Sequence, residues 1–110
     1  MGKERRKAPR FTIHQMIQIQ FPKEEFVQAV GINLSETGLL CVTEIEIPAY
    51  TKVFIMLEMQ CKVDTYMLKT DGVVIRSAPA DGEIQTAIEF TSLFDNEKLK
   101  IQEYLEIISS

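Results

Sequence analysis

Residues 11–21 have the sequence FTIHQMIQIQF, in which apolar and polar side chains alternate almost without interruption. One face is apolar except at Gln15 and is formed by Phe11, Ile13, Ile17, Ile19 and Phe21. A period of two places successive side chains on opposite sides of an extended chain. The stretch therefore predicts a long β-strand with one buried face.

Further strand-like segments follow, separated by turn signals. The predicted strands after the first are 26–32, 39–43, 53–59, 63–77 and 83–90. The sequence PADG at residues 79–82 is a strong hairpin signal, and Asp71-Gly72 suggests a bulge or bend inside the stretch from residue 63 to residue 77. Five or six short antiparallel strands of this kind favour a small closed barrel and a mainly β fold.

The period changes near residue 95, where the last segment of the chain becomes helical. Its apolar stripe has helical spacing and consists of Ile101, Tyr104, Leu105 and Ile108. Asp95 is the expected N-cap. The stripe could pack on the barrel or on a second subunit, so the sequence is compatible with a monomer or a homodimer.

Length and composition indicate one domain of 110 residues, divided into a flexible basic arm (1–10), a β-barrel (11–94) and a C-terminal helix (95–110). No apolar run is long enough for a membrane span, and no apolar segment follows the basic start as in a secretory signal. Cys41 and Cys61 lie far apart in predicted strands, which suits reduced, buried thiols in the cytoplasm. A single histidine, His14, is too few for a zinc cluster, so no metal site is predicted.

Charge is distributed unevenly along the chain. The net charge is −4, but residues 1–10 carry +4 and the other hundred residues carry −8. Three of the four arginines, Arg5, Arg6 and Arg10, lie in the first ten residues. A basic arm on an acidic body indicates local capture of an anionic ligand, and a solvated basic tail is the alternative that charge alone leaves open.

Two short motifs carry the chemistry that the sequence offers. Arg6 and Arg10 form an R-x-x-x-R motif, and arginine forks suit bidentate contacts to phosphate. Asn33, Ser35 and Gly38 form an N-x-S-x-x-G motif in a predicted loop from residue 33 to residue 38. The amide and hydroxyl oxygens can accept hydrogen bonds from a ligand, or they can bond to their own backbone in an ordinary turn.

In this order, with one strand between them, the two motifs resemble the PilZ domain, whose members bind the bacterial second messenger cyclic di-GMP. The resemblance covers nearly the whole chain: residues 4–10 resemble the opening of the family, residues 31–39 its second signature, and residues 87–90 its closing strand. It implies a small six-stranded antiparallel β-barrel with a C-terminal α-helix, which agrees with the periodicity.

The resemblance also implies a role for each motif residue. Arg6 and Arg10 would clamp the phosphates and the O6 and N7 atoms of the guanines. Asn33 and Ser35 would hold a guanine, and Gly38 would shape the loop through a positive φ or a close approach.

The resemblance also has consequences for Arg5, Asn33 and Arg76. An arginine directly before the R-x-x-x-R, here Arg5, goes in this family with binding of a stacked cyclic di-GMP dimer. Asn33 stands where many members have aspartate, so we predict a weaker contact at this position. Arg76 could approach the same end of the barrel, but the motifs do not include it and we do not count it as a site residue.

The resemblance thus predicts a non-catalytic cyclic di-GMP receptor that needs no cofactor and signals when the ligand orders the arm. A downstream protein partner is expected. The alternative is a PilZ-like adaptor that binds a protein and no nucleotide. A single-stranded nucleic-acid binder would need a basic groove with exposed aromatics, whereas this body is acidic and lacks Trp, so no DNA or RNA partner is predicted. The sequence offers no Cys/His pair that would indicate a catalytic site, so no enzyme activity is predicted.

Overall fold

The structure is a computed structural model that describes residues 11–20 and 26–109, with side chains described for residues 17–20 and 29–109. Along the described chain, the elements are β1 (Phe11–Gln20), β2 (Phe26–Leu34), β3 (Gly38–Thr43), β4 (Lys52–Gln60), β5 (Thr65–Ala80), β6 (Glu83–Phe90) and α1 (Asp95–Ile108). The predicted division into arm, barrel and helix remains a prediction at its N-terminal end, because the arm lies outside the described residues.

The six strands form one closed barrel in the order β1-β2-β3-β6-β5-β4, and β4 pairs with β1 to complete it. Each neighbouring pair of strands is antiparallel. Closure pairs the strand edges that would otherwise be exposed. The prediction of a mainly β, six-stranded antiparallel barrel with a C-terminal helix is confirmed.

The barrel interior is filled by alternate side chains from every strand. In β1, Ile17 and Ile19 are fully buried, as the alternation of residues 11–21 predicts. The largest other buried side chains are Leu34, Leu39, Ile55, Leu57, Met59, Leu68, Val74 and Ile101. The first strand can therefore be assigned its inward face from sequence period alone, and the other strands close over that face.

The β5–β6 connection is the predicted hairpin. Ala80 pairs with Glu83 across a two-residue turn, and its central residues Asp81 and Gly82 have φ values of 55° and 83°. Two positive φ angles are what a type I′ turn requires, and this turn matches the twist of the two strands. The hairpin prediction at residues 79–82 is confirmed.

The bulge in β5 lies further along the strand than predicted. Asp71 and Gly72 pair in continuous register with β4, so of the predicted bulge or bend at this dipeptide the bulge is wrong. The register with β6 shifts instead between Val74 and Arg76, which leaves Ile75 as the extra residue. Asp-Gly is a local signal, whereas this bulge is set by the pairing with β6, which a single sequence does not reveal.

The helix packs on the barrel with most of its predicted stripe. Ile101, Tyr104 and Leu105 are buried and contact the core, whereas Ile108 is 36% exposed. Asp95 is not the N-cap: Phe94 occupies that position, and its N–H donates to Glu97 Oε1 at 3.0 Å. This bond is the half of a capping box that the Glu97 side chain supplies, and the phenylalanine side chain has no acceptor to supply the other half.

Polar contacts fasten the same helix to the β4–β5 turn. The N–H of Lys62 donates to Glu103 Oε2, and Lys100 Nζ lies 3.4 Å from Asp64 Oδ1. Within residues 11–20 and 26–109, no helix is both long enough and apolar enough to cross a bilayer.

Candidate functional site

The N-x-S-x-x-G motif joins β2 to β3. Asn33 lies within β2, and Gly38 is the first residue of β3. The predicted loop from residue 33 to residue 38 is therefore too long, and the connection consists of residues 35–37. Asn33 pairs with Thr12 on one side and Leu40 on the other, so the ladder fixes its position more firmly than a loop would.

Ser35 organises this short connection. Its side chain is 1% exposed, and its Oγ accepts the N–H of Thr37 at 3.1 Å and lies 3.0 Å from Thr37 Oγ1. The backbone N–H of Ser35 donates to the carbonyl of Gly38 at 2.9 Å. These are the bonds of ordinary turn chemistry, so Ser35 holds the loop in shape whether or not a ligand is bound.

Replacing Ser35 with alanine is expected to lower the free energy of unfolding by about 1–2 kcal/mol, because the Thr37 N–H then loses its acceptor in a partly buried position. Chemical denaturation measures the change. Ser92→Ala is the matched control, since the exposed Ser92 hydroxyl makes one longer bond, 3.3 Å to Asp71 Oδ2. Equal stabilities of the two variants would contradict the structural role of Ser35.

Gly38 is required by a close approach of backbone and not by a positive φ. Among the described glycines, a positive φ occurs at Gly82 and not at Gly38. A Cβ built on Gly38 would overlap the carbonyl oxygen of Ile88 and lie 3.2 Å from the Cα of Glu89. Any side chain at this position would push β3 away from β6, so the first of the two predicted roles of this glycine is wrong and the second takes a different form.

Asn33 presents an unsatisfied acceptor at the motif. Its Oδ1 is buried and has no hydrogen-bond partner among the described residues. Its Cα partners, Thr12 and Leu40, and its neighbour Leu34, which is fully buried, place Asn33 on the outer surface of the barrel. Because this oxygen is shielded from solvent, the side chain must turn outward before it can accept hydrogen bonds from the N–H donors of a ligand.

The register of β1 on β2 brings the start of the barrel to the motif. Phe11 pairs with Leu34, the residue directly before Ser35. The described start of β1 therefore lies beside the N-x-S-x-x-G motif. Arg5, Arg6 and Arg10, together with the predicted flexible arm of residues 1–10, lie outside the described residues.

The connection also contacts the last strand and the helix. The carbonyl of Thr37 accepts the N–H of Phe90 at 2.9 Å, and Gln102 Nε2 donates to Glu36 Oε2 at 3.0 Å. A displacement of residues 35–37 would therefore act on both β6 and α1.

The structure adds Arg76 to the surroundings of the motif. Arg76 pairs with Ala87, Ala87 with Leu40, and Leu40 with Asn33, so the four residues form one row across β5, β6, β3 and β2. The sequence did not identify Arg76 as a site residue, because its place in this row depends on the strand order and on the β5 bulge. The signal that could have found it is that Arg76 is the one arginine outside the arm.

The thiols have no part in this surface. Cys41 and Cys61 are free and buried. Burial raises the pKa of Cys41 to about 12, so its thiol stays protonated near neutral pH. No group of three or more His, Cys, Asp or Glu side chains that could hold a metal ion occurs in the described part of the chain.

Comparison with solved structures identifies close likenesses in fold. The Bacillus subtilis inhibitor of motility, MotI/DgrA, superposes with a TM-score of 0.83 at 18% identity, over 97% of this chain and 52% of that one. The PilZ domain of YcgR from Escherichia coli, in a structure with c-di-GMP, gives 0.76 at 12% identity, over 96% and 92%. The K. pneumonia MrkH–c-di-GMP complex gives 0.74 at 16% identity, over 97% and 52%.

This chain therefore spans about half the length of the motility inhibitor and of MrkH, and nearly all of the YcgR domain. At these identities the likeness concerns the fold. Comparison with the sequences of curated proteins gave no significant match. The sequence profile of the PilZ domain matches residues 4–106, which is almost the entire chain, and the chain therefore belongs to the PilZ domain family.

Proposed function

We propose that this chain is a non-catalytic receptor for cyclic di-GMP. The ligand binds between the arginines of the N-terminal arm, Arg5, Arg6 and Arg10, and the outer surface at Asn33, Ser35 and Gly38. The observation that carries the proposal is the pairing of Phe11 with Leu34, because it attaches the arm beside the N-x-S-x-x-G motif.

The chemistry of the two motifs matches the two parts of the ligand. Phosphates are best held by guanidinium forks, which bind two oxygens at once and keep their charge at all relevant pH values. The O6 and N7 atoms of guanine suit the same forks. Arg6 and Arg10 supply two forks, and Arg5 supplies a third that could serve a second, stacked ligand molecule.

The unsatisfied oxygen of Asn33 supports the guanine contact. Among the described residues this buried acceptor has no partner, and a buried acceptor left in that state costs free energy. The N1–H and N2–H groups of guanine would satisfy it. Ser35 and Gly38 contribute by fixing the short connection, since the Ser35 hydroxyl and the β3–β6 approach at Gly38 leave it little freedom.

The printed descriptions of two similar structures support the same ligand. The YcgR domain and MrkH were both solved with c-di-GMP. Because the chain covers only about half of MrkH and of the motility inhibitor, what those whole proteins do is no guide to the process that this chain controls.

The signal would be relayed when the ligand draws the arm onto the barrel. The new surface would include arm, ligand and the connection of residues 35–37, which already contacts β6 through Thr37 and α1 through Glu36. A downstream protein would recognise this surface, or two copies would associate through it. The reduced cysteines support a cytoplasmic location.

Isothermal titration calorimetry of the full chain with cyclic di-GMP tests the proposal. We expect binding at micromolar concentration or tighter, with heat that vanishes when the arm arginines are removed. A folded protein that gives no heat at high ligand concentration would contradict the receptor and favour the adaptor that binds no nucleotide.

Asn33→Asp is expected to strengthen cyclic di-GMP binding about tenfold at pH 7, because a carboxylate accepts the guanine N–H groups in charge-assisted hydrogen bonds. The same variant should lower the melting temperature of the free protein, since a buried carboxylate without a partner is costly. Asn33→Ala should weaken binding. Calorimetry and thermal melts measure both effects, and an unchanged affinity in both variants would remove Asn33 from the site.

A further inference from the structure

A row of outward-facing residues leads away from Asn33 across the barrel. Asn33, Leu40, Ala87 and Arg76 are direct neighbours on β2, β3, β6 and β5. Their neighbours along the strands, such as Leu39, Cys41, Thr86 and Ile88, are buried, so the row itself faces outward. Strands in a sheet are 4.7–4.9 Å apart, so three steps place Arg76 at most about 15 Å from Asn33, Cα to Cα.

The middle of this row is apolar and low. Leu40 and Ala87 are both half-buried, and Ala87 has only a methyl side chain. A flat ring could lie across these two positions and reach the far end of the row without meeting a large side chain. Apolar surfaces of this kind pack well against the faces of bases.

A cleft of about 300 Å³ opens at the far end, between the β3–β4 connection and the bulge in β5. Its lining consists of Glu46, Ile47, Pro48, Ala49, Ile75, Arg76 and Ser77. Ile75, the extra residue of the bulge, lines this cleft, and the N–H of Ile47 donates to Ser77 Oγ at 3.0 Å, which ties the connection to β5. Its volume is at the lower end of the range for small-molecule sites, which suits one base.

The polar groups at this cleft complement the two edges of guanine. Arg76 and Glu46 are both exposed, and neither forms a hydrogen bond or ion pair with any residue in the described ranges. A guanidinium fork matches O6 and N7, and a carboxylate matches the N1–H and N2–H donors. Ile75, Pro48 and Ala49 supply apolar walls for the faces of the ring.

We propose that this cleft is a second guanine subsite, in which Arg76 donates to O6 and N7 of the base and Glu46 accepts from its N1–H and N2–H groups. Leu40 and Ala87 form the floor that connects the subsite to Asn33. The inference rests on the proposed cyclic di-GMP site and adds the base that the two sequence motifs leave unassigned. That base comes either from the far side of the same ligand molecule or from a second one.

Calorimetric titration of cyclic di-GMP into the full chain and its variants tests the subsite. Arg76→Ala and Glu46→Gln are each expected to weaken binding about tenfold, which is the usual loss for one good bidentate contact to a base. Arg76→Lys should restore only part of the affinity, because an ammonium group keeps the charge but cannot form the fork. The matched controls are Lys69→Ala, an exposed cation on the same strand, and Glu44→Gln, an exposed carboxylate near Glu46.

Cyclic di-IMP provides a second measurement, because its bases lack the exocyclic amine. Glu46→Gln should lose less affinity for this analogue than for cyclic di-GMP. The source of the base follows from the stoichiometry. If the cleft holds the far base of one molecule, the wild type and Arg76→Ala both bind one ligand per chain, and the variant binds it with lower affinity. If it holds a second molecule, the wild type binds two and Arg76→Ala binds one.

The failure of the subsite can be distinguished from the failure of the receptor. If Arg76→Ala and Glu46→Gln bind like the wild type while Arg6→Ala does not bind, the subsite is wrong and the receptor stands. If the wild type itself binds no cyclic di-GMP, both proposals are wrong. Equal losses in the variants and in the controls Lys69→Ala and Glu44→Gln would also overturn the subsite, since the effect would then be one of general charge.

Discussion

Arg6→Ala and Arg10→Ala are each expected to weaken cyclic di-GMP binding by at least roughly 100-fold, equivalent to about 2.8 kcal/mol. In the proposed site, each change removes a fork that would contact phosphate or guanine with charge-assisted bonds, and a single such bond contributes about 1.5–3 kcal/mol. Both residues lie outside the described residues, and the sequence predicts that they belong to a basic arm that precedes the barrel. The melting temperature should therefore stay the same, and calorimetry and thermal melts of the same samples measure the two quantities.

Lys7→Ala is the matched control for these variants, because it removes one positive charge from between the two arginines. An ammonium group offers no planar fork, so we expect a loss of only a few-fold from this control. If Lys7→Ala were as damaging as Arg6→Ala, the arm would act as a diffuse positive charge. A steep dependence of the affinity on salt would accompany that result. If neither arginine variant changed the affinity, the arm would have no part in the site.

Sequence period alone was enough for the main features of the barrel. The alternation in residues 11–21 assigns Ile17 and Ile19 to the interior, and both are buried there. Turn residues with a defined backbone conformation were equally informative, as Asp81 and Gly82 show by their positive φ angles. These signals are local, and the physical reason for each is contained in a few adjacent residues.

Features that depend on pairing between distant strands were not accessible in the same way. The β5 bulge lies at Ile75 because of the register with β6. Asp71-Gly72 has residues that are typical of turns, but it pairs with β4 in continuous register. The same argument applies to the loop, where pairing with β1 and β3 draws Asn33 into a strand. A single sequence records residue preferences but not which strands become neighbours.

The candidate site also contains some residues that the sequence identifies and others that depend on pairing between distant strands. Its motif residues could be selected from the sequence, because arginine forks and short polar side chains have recognisable chemistry. The reason for Gly38 could not, since the carbonyl of Ile88 that excludes a Cβ belongs to a strand fifty residues further along the chain. Arg76 was not counted as a site residue for a similar reason. Its relation to Asn33 depends on the pairing of Ala87 and Leu40, which belong to two other strands.

Gly38→Ala is expected to lower the free energy of unfolding by about 3 kcal/mol, at the upper end of the usual range for overpacking. The added Cβ would overlap a backbone carbonyl oxygen, that of Ile88, and would lie 3.2 Å from the Cα of Glu89. Neither atom can move without displacing β6. For a domain of this size such a loss corresponds to a decrease of about 10–20 °C in melting temperature.

Gly72→Ala is the matched control, because its Cβ would face the same two residues of β6. There the closest atom is Cγ2 of the Ile88 side chain, at 2.8 Å, and the carbonyl oxygen of Glu89 is at 3.0 Å. These contacts are longer than the overlap at Gly38, and the closest one is with a side-chain atom and not with the backbone, so we expect this variant to lose less, about 1 kcal/mol. Chemical denaturation of both proteins measures the difference.

Since Gly38 also begins β3 beside the Ser35 connection, its variant should lose cyclic di-GMP affinity even at temperatures where it remains folded. If Gly38→Ala were as stable as Gly72→Ala, β3 and β6 would be able to separate locally. The rigid connection on which the proposed site depends would then not exist.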